Sequence, residues 1–180
     1  MRKLLNNELG RKTVEQFRSS SKSPFLVVLD NVRSHSNTGS VFRTADAFLT
    51  EAVYLCGITA TPPHREIQKT ALGATESVTW EYFRNTMDAI NKLKADGYII
   101  VGIEQAEGSI PLNRFRPESG RKYALVFGHE INGVNQEVLN KCDYCIEIPQ
   151  FGTKHSFNIA VSAGIVLWEL TRELVPRSSP

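Results

Sequence analysis

The chain has 180 residues, of which 41% are hydrophobic and 22% charged, a composition typical of one globular domain with a full core. Its net charge of +2 permits a nucleic-acid partner without requiring one, because such partners are bound by clustered cations rather than by net charge. The three cysteines argue against a disulfide framework and favour a reducing, cytoplasmic setting. No apolar stretch reaches membrane-spanning length, so we expect no membrane partner.

The sequence predicts a basic N-terminal extension over residues 1–24 and a single domain over residues 25–175. A short helix is predicted within the extension, over residues 7–18. The cations of the extension are Arg2, Lys3, Arg11, Lys12, Arg18 and Lys22. Clustering of this kind makes the extension a candidate for contact with a polyanion.

Apolar runs of strand length alternate with amphipathic segments along the domain. This alternation predicts an α/β fold with a mostly parallel sheet and helices on both faces. The predicted strands cover residues 25–30, 52–56, 78–83, 98–103, 123–127 and 144–148. The predicted helices cover residues 38–49, 65–72, 86–95, 134–139 and 158–174, and residues 109–120 are predicted to be irregular.

The first half of the last predicted helix is apolar on every side, from Ile159 to Leu167. A helix that is apolar all round is buried on all sides. Two interpretations remain open at this point. The helix is either the centre of the domain core or a surface that a second copy of the chain covers.

Several familiar site signatures are missing. No glycine-rich phosphate loop follows a strand and no G-x-S-x-G motif surrounds Ser156, so a nucleotide-dependent transferase and a hydrolase are both disfavoured. The histidines lack metal-ligand spacing, and the C-x-x-C pair of Cys142 and Cys145 has no second pair, so we predict no metal site. Chemistry is therefore expected in the loops at the carboxyl ends of the strands.

The first candidate loop follows the strand at residues 25–30. Asn37 is predicted to cap the next helix, whose first turn offers unpaired backbone N–H groups. Arg43 lies on the polar face of that otherwise apolar helix. From spacing alone, a solvated arginine and an ordinary helix cap are the favoured explanation of this stretch.

Two further loops carry polar residues at strand ends. Gly128 directly follows a buried strand, where a missing side chain lets a ligand approach the backbone, and Glu130 comes next at the rim of the sheet. Ser156 and Asn158 stand in a polar loop at the mouth of the last helix, where free N–H groups hold polar ligands.

In this order along the chain, the three loops resemble the motifs of the SpoU-type (TrmH-like) RNA ribose methyltransferases of the SPOUT superfamily. The first is similar to an Asn followed by a glycine and Arg-Thr-Ala. The second is similar to Gly-Asn-Glu followed by a glycine, with His129 where Asn is common. The third is similar to Ser-Leu-Asn, with Phe157 in place of Leu. The matches spread over residues 25–170, nearly the whole domain.

The resemblance implies methyl transfer from S-adenosyl-L-methionine to a ribose 2′-hydroxyl of tRNA or rRNA, by a homodimer with a C-terminal trefoil knot. The residues that it implies for catalysis are Asn37, Arg43, Glu130, Ser156 and Asn158. The residues that it implies at the cofactor, mostly through backbone groups, are Glu104, Gly128, Ile148 and Phe157. The alternative is a non-catalytic RNA-binding protein of the same fold.

The family gives its central role to the arginine that matches Arg43, sometimes described as a general base. A guanidinium is effectively never deprotonated in proteins, so we interpret Arg43 as a fork that binds the target phosphate and stabilises the developing alkoxide. Asn37 and Glu130 are expected to orient Arg43 and the ribose, and Ser156 and Asn158 to fix the knot loop. RNA contacts are expected from the N-terminal cations, residues 62–69, Arg114, Arg116, Arg121 and Lys122.

Overall fold

The computed structural model describes residues 1–174, so the predicted domain end at residue 175 lies just outside the described residues. The strands are β1 (Phe25–Asp30), β2 (Val53–Cys56), β3 (Trp80–Phe83), β4 (Ile99–Ile103), β5 (Ile110–Pro111), β6 (Tyr123–Phe127) and β7 (Tyr144–Glu147). The helices are α1 (Val14–Ser19), α2 (His35–Ala47), α3 (Arg65–Ala71), α4 (Ala74–Ser77), α5 (Thr86–Ala95), α6 (Gln136–Leu139) and α7 (Ile159–Leu174), and a 3₁₀ turn spans Asn6–Glu8.

The strands form one seven-stranded sheet in the order β3-β2-β1-β6-β4-β7-β5, and every described pair is parallel. The α/β fold with a parallel sheet is therefore confirmed. Central strands of such a sheet are buried on both faces, which explains why β1 and β6 read as continuous apolar runs. The carboxyl ends of all seven strands lie along one edge, and that edge carries the candidate loops.

The two faces of the sheet build two separate cores because side chains alternate along a strand. Phe25, Val27 and Leu29 of β1 belong to the core that includes α2, α3 and α7. Leu26 and Val28 belong to the opposite core with α5 and α6. Helices therefore cover both faces, as predicted.

The predicted extension is partly integrated into the domain. Its helix is shorter than predicted: Thr13 caps α1 in a capping box with Gln16, so the helix begins at Val14 rather than at residue 7. Phe17 is buried in the same core as Phe25, Val27 and Leu29, and the Lys22 ammonium caps the end of α1 through the Phe17 carbonyl. These contacts hold the end of the extension against the sheet.

Three other expectations need correction. Asn37 is not a helix cap, because Ser34 caps α2 and its hydroxyl accepts the Asn37 N–H at 3.2 Å. The stretch 109–120 is not wholly irregular, because Ile110 pairs with Ile146 and forms the edge strand β5. Helix α7 is not buried on all sides: Val161 is 50% exposed and Trp168 is 61% exposed in the single chain.

Candidate active site at the carboxyl edge of the sheet

A cleft of about 1090 Å³ opens at the carboxyl edge, between the loops that follow β4, β6 and β7. Ligands of open α/β sheets bind at this edge. All four residues predicted at the cofactor line the cleft, namely Glu104, Gly128, Ile148 and Phe157. Glu130, Ser156 and Asn158 line it as well. Residues that are distant in sequence, from three different loops, thus meet at one surface.

Three of the five residues predicted for catalysis form a continuous chain of hydrogen bonds. The Asn37 amide donates to Glu130 Oε1 at 3.0 Å, and the Asn158 amide donates to Asn37 Oδ1 at 3.0 Å. We call Glu130, Asn37 and Asn158 the amide relay. It ties the loop after β6 to the start of α2 and the start of α2 to the start of α7.

The Glu130 carboxylate lies at the N-terminal end of α2. It accepts the backbone N–H groups of Arg33 at 3.0 Å and Ser34 at 2.9 Å, besides the Asn37 amide. Burial by itself would raise the pKa of Glu130, but these hydrogen bonds outweigh burial and lower the pKa below its ordinary value. These bonds favour the ionised form of Glu130, and a carboxylate with a lowered pKa is poorly suited to take a proton from a substrate.

Two further carboxylates fix the loop between β6 and α6. Glu104, after β4, accepts the Val134 N–H at 3.0 Å, and Asp30, at the end of β1, accepts the Asn135 N–H at 2.9 Å. Since β1 and β4 are the two neighbours of β6 in the sheet, consecutive N–H groups of one loop are held from both sides. Glu104 thus has a positioning role in addition to its place in the cleft wall.

Sequence reasoning missed Asp30, which is 1% exposed. Its other oxygen accepts the Thr86 hydroxyl at 2.6 Å and the Asn31 amide at 2.8 Å, so the buried charge is fully hydrogen-bonded. The available signal was an acidic residue that ends an otherwise apolar, buried strand. A carboxylate in such a position needs several donors, and two of the three here, Thr86 and Asn135, are distant in the sequence.

Gly128 is required by packing rather than by backbone conformation. A Cβ atom at this position would lie 2.0 Å from the Gly133 carbonyl carbon and 2.1 Å from the Val134 nitrogen. The loop folds back on itself there, with mutual hydrogen bonds between the backbones of His129 and Gly133. The glycine therefore allows this close backbone approach in the wall of the cleft.

Arg43 and Ser156 are less constrained than the amide relay. Arg43 is exposed on the outer face of α2 and does not line the cleft, and within residues 1–174 it makes no hydrogen bond or ion pair. Neither Asn37 nor Glu130 bonds to it, so the expectation that they orient Arg43 is not met in the single chain. Ser156 lines the cleft with an exposed side chain.

The paired cysteines stand in the cleft wall as thiols. Burial, together with smaller contributions from the neighbouring Cys145 and Asp143, raises the pKa of Cys142 to about 12. Burial likewise raises the pKa of Cys145. Within residues 1–174, no three His, Cys, Asp or Glu side chains cluster in a way that would hold a metal ion. Over the same residues, the helices are too short or too polar to cross a membrane.

An all-parallel sheet with a polar cleft at its carboxyl edge defines a ligand-binding α/β domain. Residues 24–168 match the SpoU rRNA Methylase family, and the chain belongs to this family. It is 34% identical over 155 residues to the 23S rRNA (guanosine-2′-O-)-methyltransferase RlmB of Neisseria meningitidis, a match that covers 86% of this chain and 61% of that protein.

Solved structures agree with this assignment. The AdoMet-bound rRNA methyltransferase of Sinorhizobium meliloti superimposes with a TM-score of 0.80 at 30% identity, over 89% of this chain and 61% of that one. The TrmH/SpoU tRNA modifying enzyme of A. aeolicus has the same fold, with a TM-score of 0.78 at 24% identity over 89% of this chain and 81% of that one. The chain thus spans about three fifths of the length of the first two relatives.

Proposed function

We propose that this protein transfers the methyl group of S-adenosyl-L-methionine to a ribose 2′-hydroxyl of tRNA or rRNA. The observation that carries the proposal is the meeting of the cleft and the amide relay at one edge of a sheet whose chain belongs to the SpoU family. Similarity to an AdoMet-bound rRNA methyltransferase and to a guanosine-2′-O-methyltransferase supports both the cofactor and the reaction.

The carboxylates and backbone groups of the cleft wall fit this cofactor. Its wall includes the carboxylates of Glu104, Glu107 and Glu147, which suit a ligand that carries a sulfonium and an ammonium. Glu104, Gly128, Ile148 and Phe157 would hold the cofactor, with backbone groups of their loops binding the adenine. Bound there, S-adenosyl-L-methionine supplies an electrophilic methyl group.

The protein residues have to align the ribose hydroxyl and stabilise its developing negative charge. In the proposed mechanism, Arg43 binds the phosphate of the target nucleotide through its planar fork and stabilises the alkoxide, while the proton leaves to phosphate or water. Because the Arg43 side chain is exposed, it is accessible to an RNA phosphate. The amide relay holds together the loop after β6, the start of α2 and the start of α7. Ser156 lies in the cleft wall beside Asn158.

RNA is the proposed partner, and part of the expected basic surface is available for it. Arg2, Arg18 and Lys22 are already engaged, by Glu8, by the Glu76 carbonyl and by the end of α1. Among residues 1–174, the side chains of Lys3, Arg11 and Lys12 have no such partner, and neither do those of Arg65 and Lys69 within the predicted segment 62–69. These cations are the proposed phosphate contacts, together with Arg114 and Arg121. Arg116 and Lys122 are included as well, although Arg116 donates to the Asn113 carbonyl and Lys122 pairs with Glu51.

We also propose a homodimer that covers α7. Val161 and Trp168 leave an apolar surface on this helix, and Trp168 meets the half-buried Phe48 edge-on at 6.3 Å between ring centroids. Because α2 packs against α7, a dimer formed here would bring the helix that carries Arg43 next to the partner. Family resemblance supports the trefoil knot as well, and the three free cysteines support a reducing compartment such as the cytoplasm.

Labelled methyl transfer tests the proposed reaction. The full chain is incubated with methyl-labelled S-adenosyl-L-methionine and either total tRNA or total rRNA, and the RNA is then hydrolysed in alkali. Label is expected in alkali-resistant dinucleotides, because a 2′-O-methyl group blocks cleavage of the following phosphodiester. Label in mononucleotides would indicate base methylation and contradict the proposal. RNA binding without any transfer would favour the non-catalytic alternative.

A further inference from the structure

The loop between β7 and α7 presents an aromatic side chain to solvent beside the cleft. Phe151 is 97% exposed, the largest exposed fraction of any aromatic residue within 1–174. All residues from 151 to 158 are exposed. An aromatic ring that is this exposed gains nothing from the core, so its place at the rim of the candidate site needs another explanation.

The base of this loop is fixed while its tip projects. The His155 carbonyl accepts the Gln105 amide at 2.6 Å and the Gln150 amide at 3.5 Å, which joins the two ends of the segment 150–155 to each other and to the loop after β4. Asn158 then ties the loop to Asn37 through the amide relay. At the tip, a Cβ atom added to Gly152 would meet nothing within 4 Å. Hydrogen bonds thus fix both ends of the loop, and Phe151 projects into solvent between them.

The charge of the segment favours a polyanion. No acidic residue occurs between Glu147 and Glu169, and the only charged side chain in that interval is Lys154, with His155 next to it. Lys154 is exposed and makes no hydrogen bond or ion pair with another residue of 1–174. An exposed aromatic ring with a free cation three residues away is the combination by which proteins hold unpaired nucleotides, the ring stacking on a base and the cation meeting a phosphate.

We propose that Phe151 is a stacking platform for an unpaired base of the RNA substrate, and that Lys154 binds an adjacent phosphate. This inference rests on the proposed function and adds that the loop between β7 and α7 recognises an unpaired base of the RNA. Stacking on Phe151 would hold one base out of the RNA stack beside Ser156 and Asn158, where the ribose hydroxyl must lie. Since every base has a π-face, the platform would select single-stranded character rather than sequence.

A second copy of this chain is the other partner that could cover the exposed Phe151 ring. The neighbours of Phe151 in the sequence are Gln150, Gly152 and Thr153, which do not extend its apolar surface along the chain as the core of a protein interface would require. Helix α7, with the exposed Val161 and Trp168, offers such a surface instead. The polar setting of Phe151 therefore favours RNA.

Binding of a fluorescein-labelled, single-stranded 12-nucleotide RNA to the full-length protein tests the proposal. Fluorescence anisotropy would be measured at 50 and 200 mM salt for the wild type, Phe151→Ala, Phe151→Trp and Lys154→Ala. Trp80→Ala is the matched control, because Trp80 is an exposed aromatic on β3, at the opposite edge of the sheet.

Phe151→Ala is expected to weaken RNA binding about tenfold with an unchanged salt dependence, because stacking releases no counterions. Phe151→Trp should retain the wild-type affinity. Lys154→Ala should reduce the slope of log K against log salt by about 0.7, the contribution of one phosphate contact on a single strand. Trp80→Ala should bind like the wild type.

Equal RNA affinity of Phe151→Ala and the wild type would overturn the inference, and so would a wild type that does not bind the 12-nucleotide RNA. A Phe151→Ala variant that sediments as a monomer, where the wild type is a dimer, would also overturn it and assign the side chain to a subunit interface. Methyl transfer to total RNA by the wild type separates these outcomes from failure of the proposed function, because transfer does not require Phe151 to be the platform.

Discussion

Two groups of residues at the carboxyl edge differ in how they are bonded. The carboxylates of Asp30, Glu104 and Glu130, the anchoring group, accept backbone N–H groups from neighbouring loops. Arg43, Phe151 and Lys154, the exposed group, have no polar partner among residues 1–174. The difference teaches that the residues that resemble a catalytic motif have two kinds of role. Glu130 fixes the positions of neighbouring loops, whereas Arg43 is free to contact a substrate.

The largest effect is expected where a free side chain is removed. Arg43→Ala should lower kcat for methyl transfer on the order of 10²–10³-fold, the typical cost of losing an oxyanion donor, with further loss from phosphate positioning. Affinity for S-adenosyl-L-methionine should stay nearly intact, because Arg43 does not line the cleft. Arg43→Lys keeps the charge but loses the planar fork, so it should recover little activity.

Steady-state kinetics and calorimetry with the cofactor would measure both quantities for Arg43, with Arg84→Ala as the control cation on another exposed surface. Near-normal turnover of Arg43→Ala would show that Arg43 belongs with the residues that do not act on substrate. Loss of cofactor affinity in the same variant would show that Arg43 also supports the cofactor cleft.

The proposed dimer predicts the next largest effect. Trp168→Ala removes a large exposed aromatic from α7 and should weaken self-association by about 2 kcal/mol or more, as for a central aromatic of an interface. Sedimentation at micromolar concentration should shift from dimer toward monomer, whereas Leu72→Ala, an exposed apolar residue outside α7, should leave it unchanged. A wild type that is already monomeric would remove this explanation of the exposed face of α7.

A smaller effect is expected where an anchoring carboxylate is neutralised. Asp30→Asn weakens the charge-assisted bonds to Asn135 and Thr86 and should lower the free energy of unfolding by about 2 kcal/mol. Since the loop that Asp30 holds lines the cleft, cofactor affinity should also fall several-fold. Denaturant unfolding and calorimetry would measure both, with the exposed Asp88→Asn as the matched control. Unchanged cofactor affinity in a destabilised Asp30→Asn variant would limit Asp30 to a role in folding.

The smallest effect concerns pH. The folded-state pKa of Glu130 is below its ordinary value, so its stabilising contribution is present above that value and is lost as the pH falls through the lowered folded-state pKa. Because the side chain is exposed, this contribution should be below about 1 kcal/mol. Glu130→Gln should flatten the fall of Tm as the pH drops below 4.5, the ordinary value for a glutamate, and Asn37→Ala, which removes one donor, should give an intermediate curve. Identical curves for wild type and Glu130→Gln would contradict the anchoring role.

Much of the fold could be predicted because its information is local. Continuous apolar runs marked β1 and β6, and the amphipathic pattern of residues 86–95 matched α5 at both ends. The edge strand β5 escaped prediction because its two residues acquire strand character only by pairing with β7. Helix α4, only four residues long, was likewise not predicted.

At the site, residue identity was easier to predict than residue role. Resemblance selected Asn37, Glu130 and Asn158, and the structure joins them by hydrogen bonds. What Glu130 does could not be predicted, because its partners Arg33 and Ser34 lie almost a hundred residues earlier in the chain and are backbone donors, which leave no trace in side-chain patterns. The same reason hid Asp30, whose acceptor bond to Asn135 spans a comparable separation.

Calorimetric titration of the wild-type protein with S-adenosyl-L-methionine in the presence of EDTA tests the central claim most directly. The account predicts saturable binding at one site per chain, because the cleft offers carboxylates and backbone groups and includes no metal cluster within residues 1–174. Phe151→Ala and Arg43→Ala should bind the cofactor like the wild type, whereas Asp30→Asn should bind it more weakly. Absence of binding, or binding that appears only when a divalent metal ion is restored, would contradict the assignment of the cleft as the methyl-donor site.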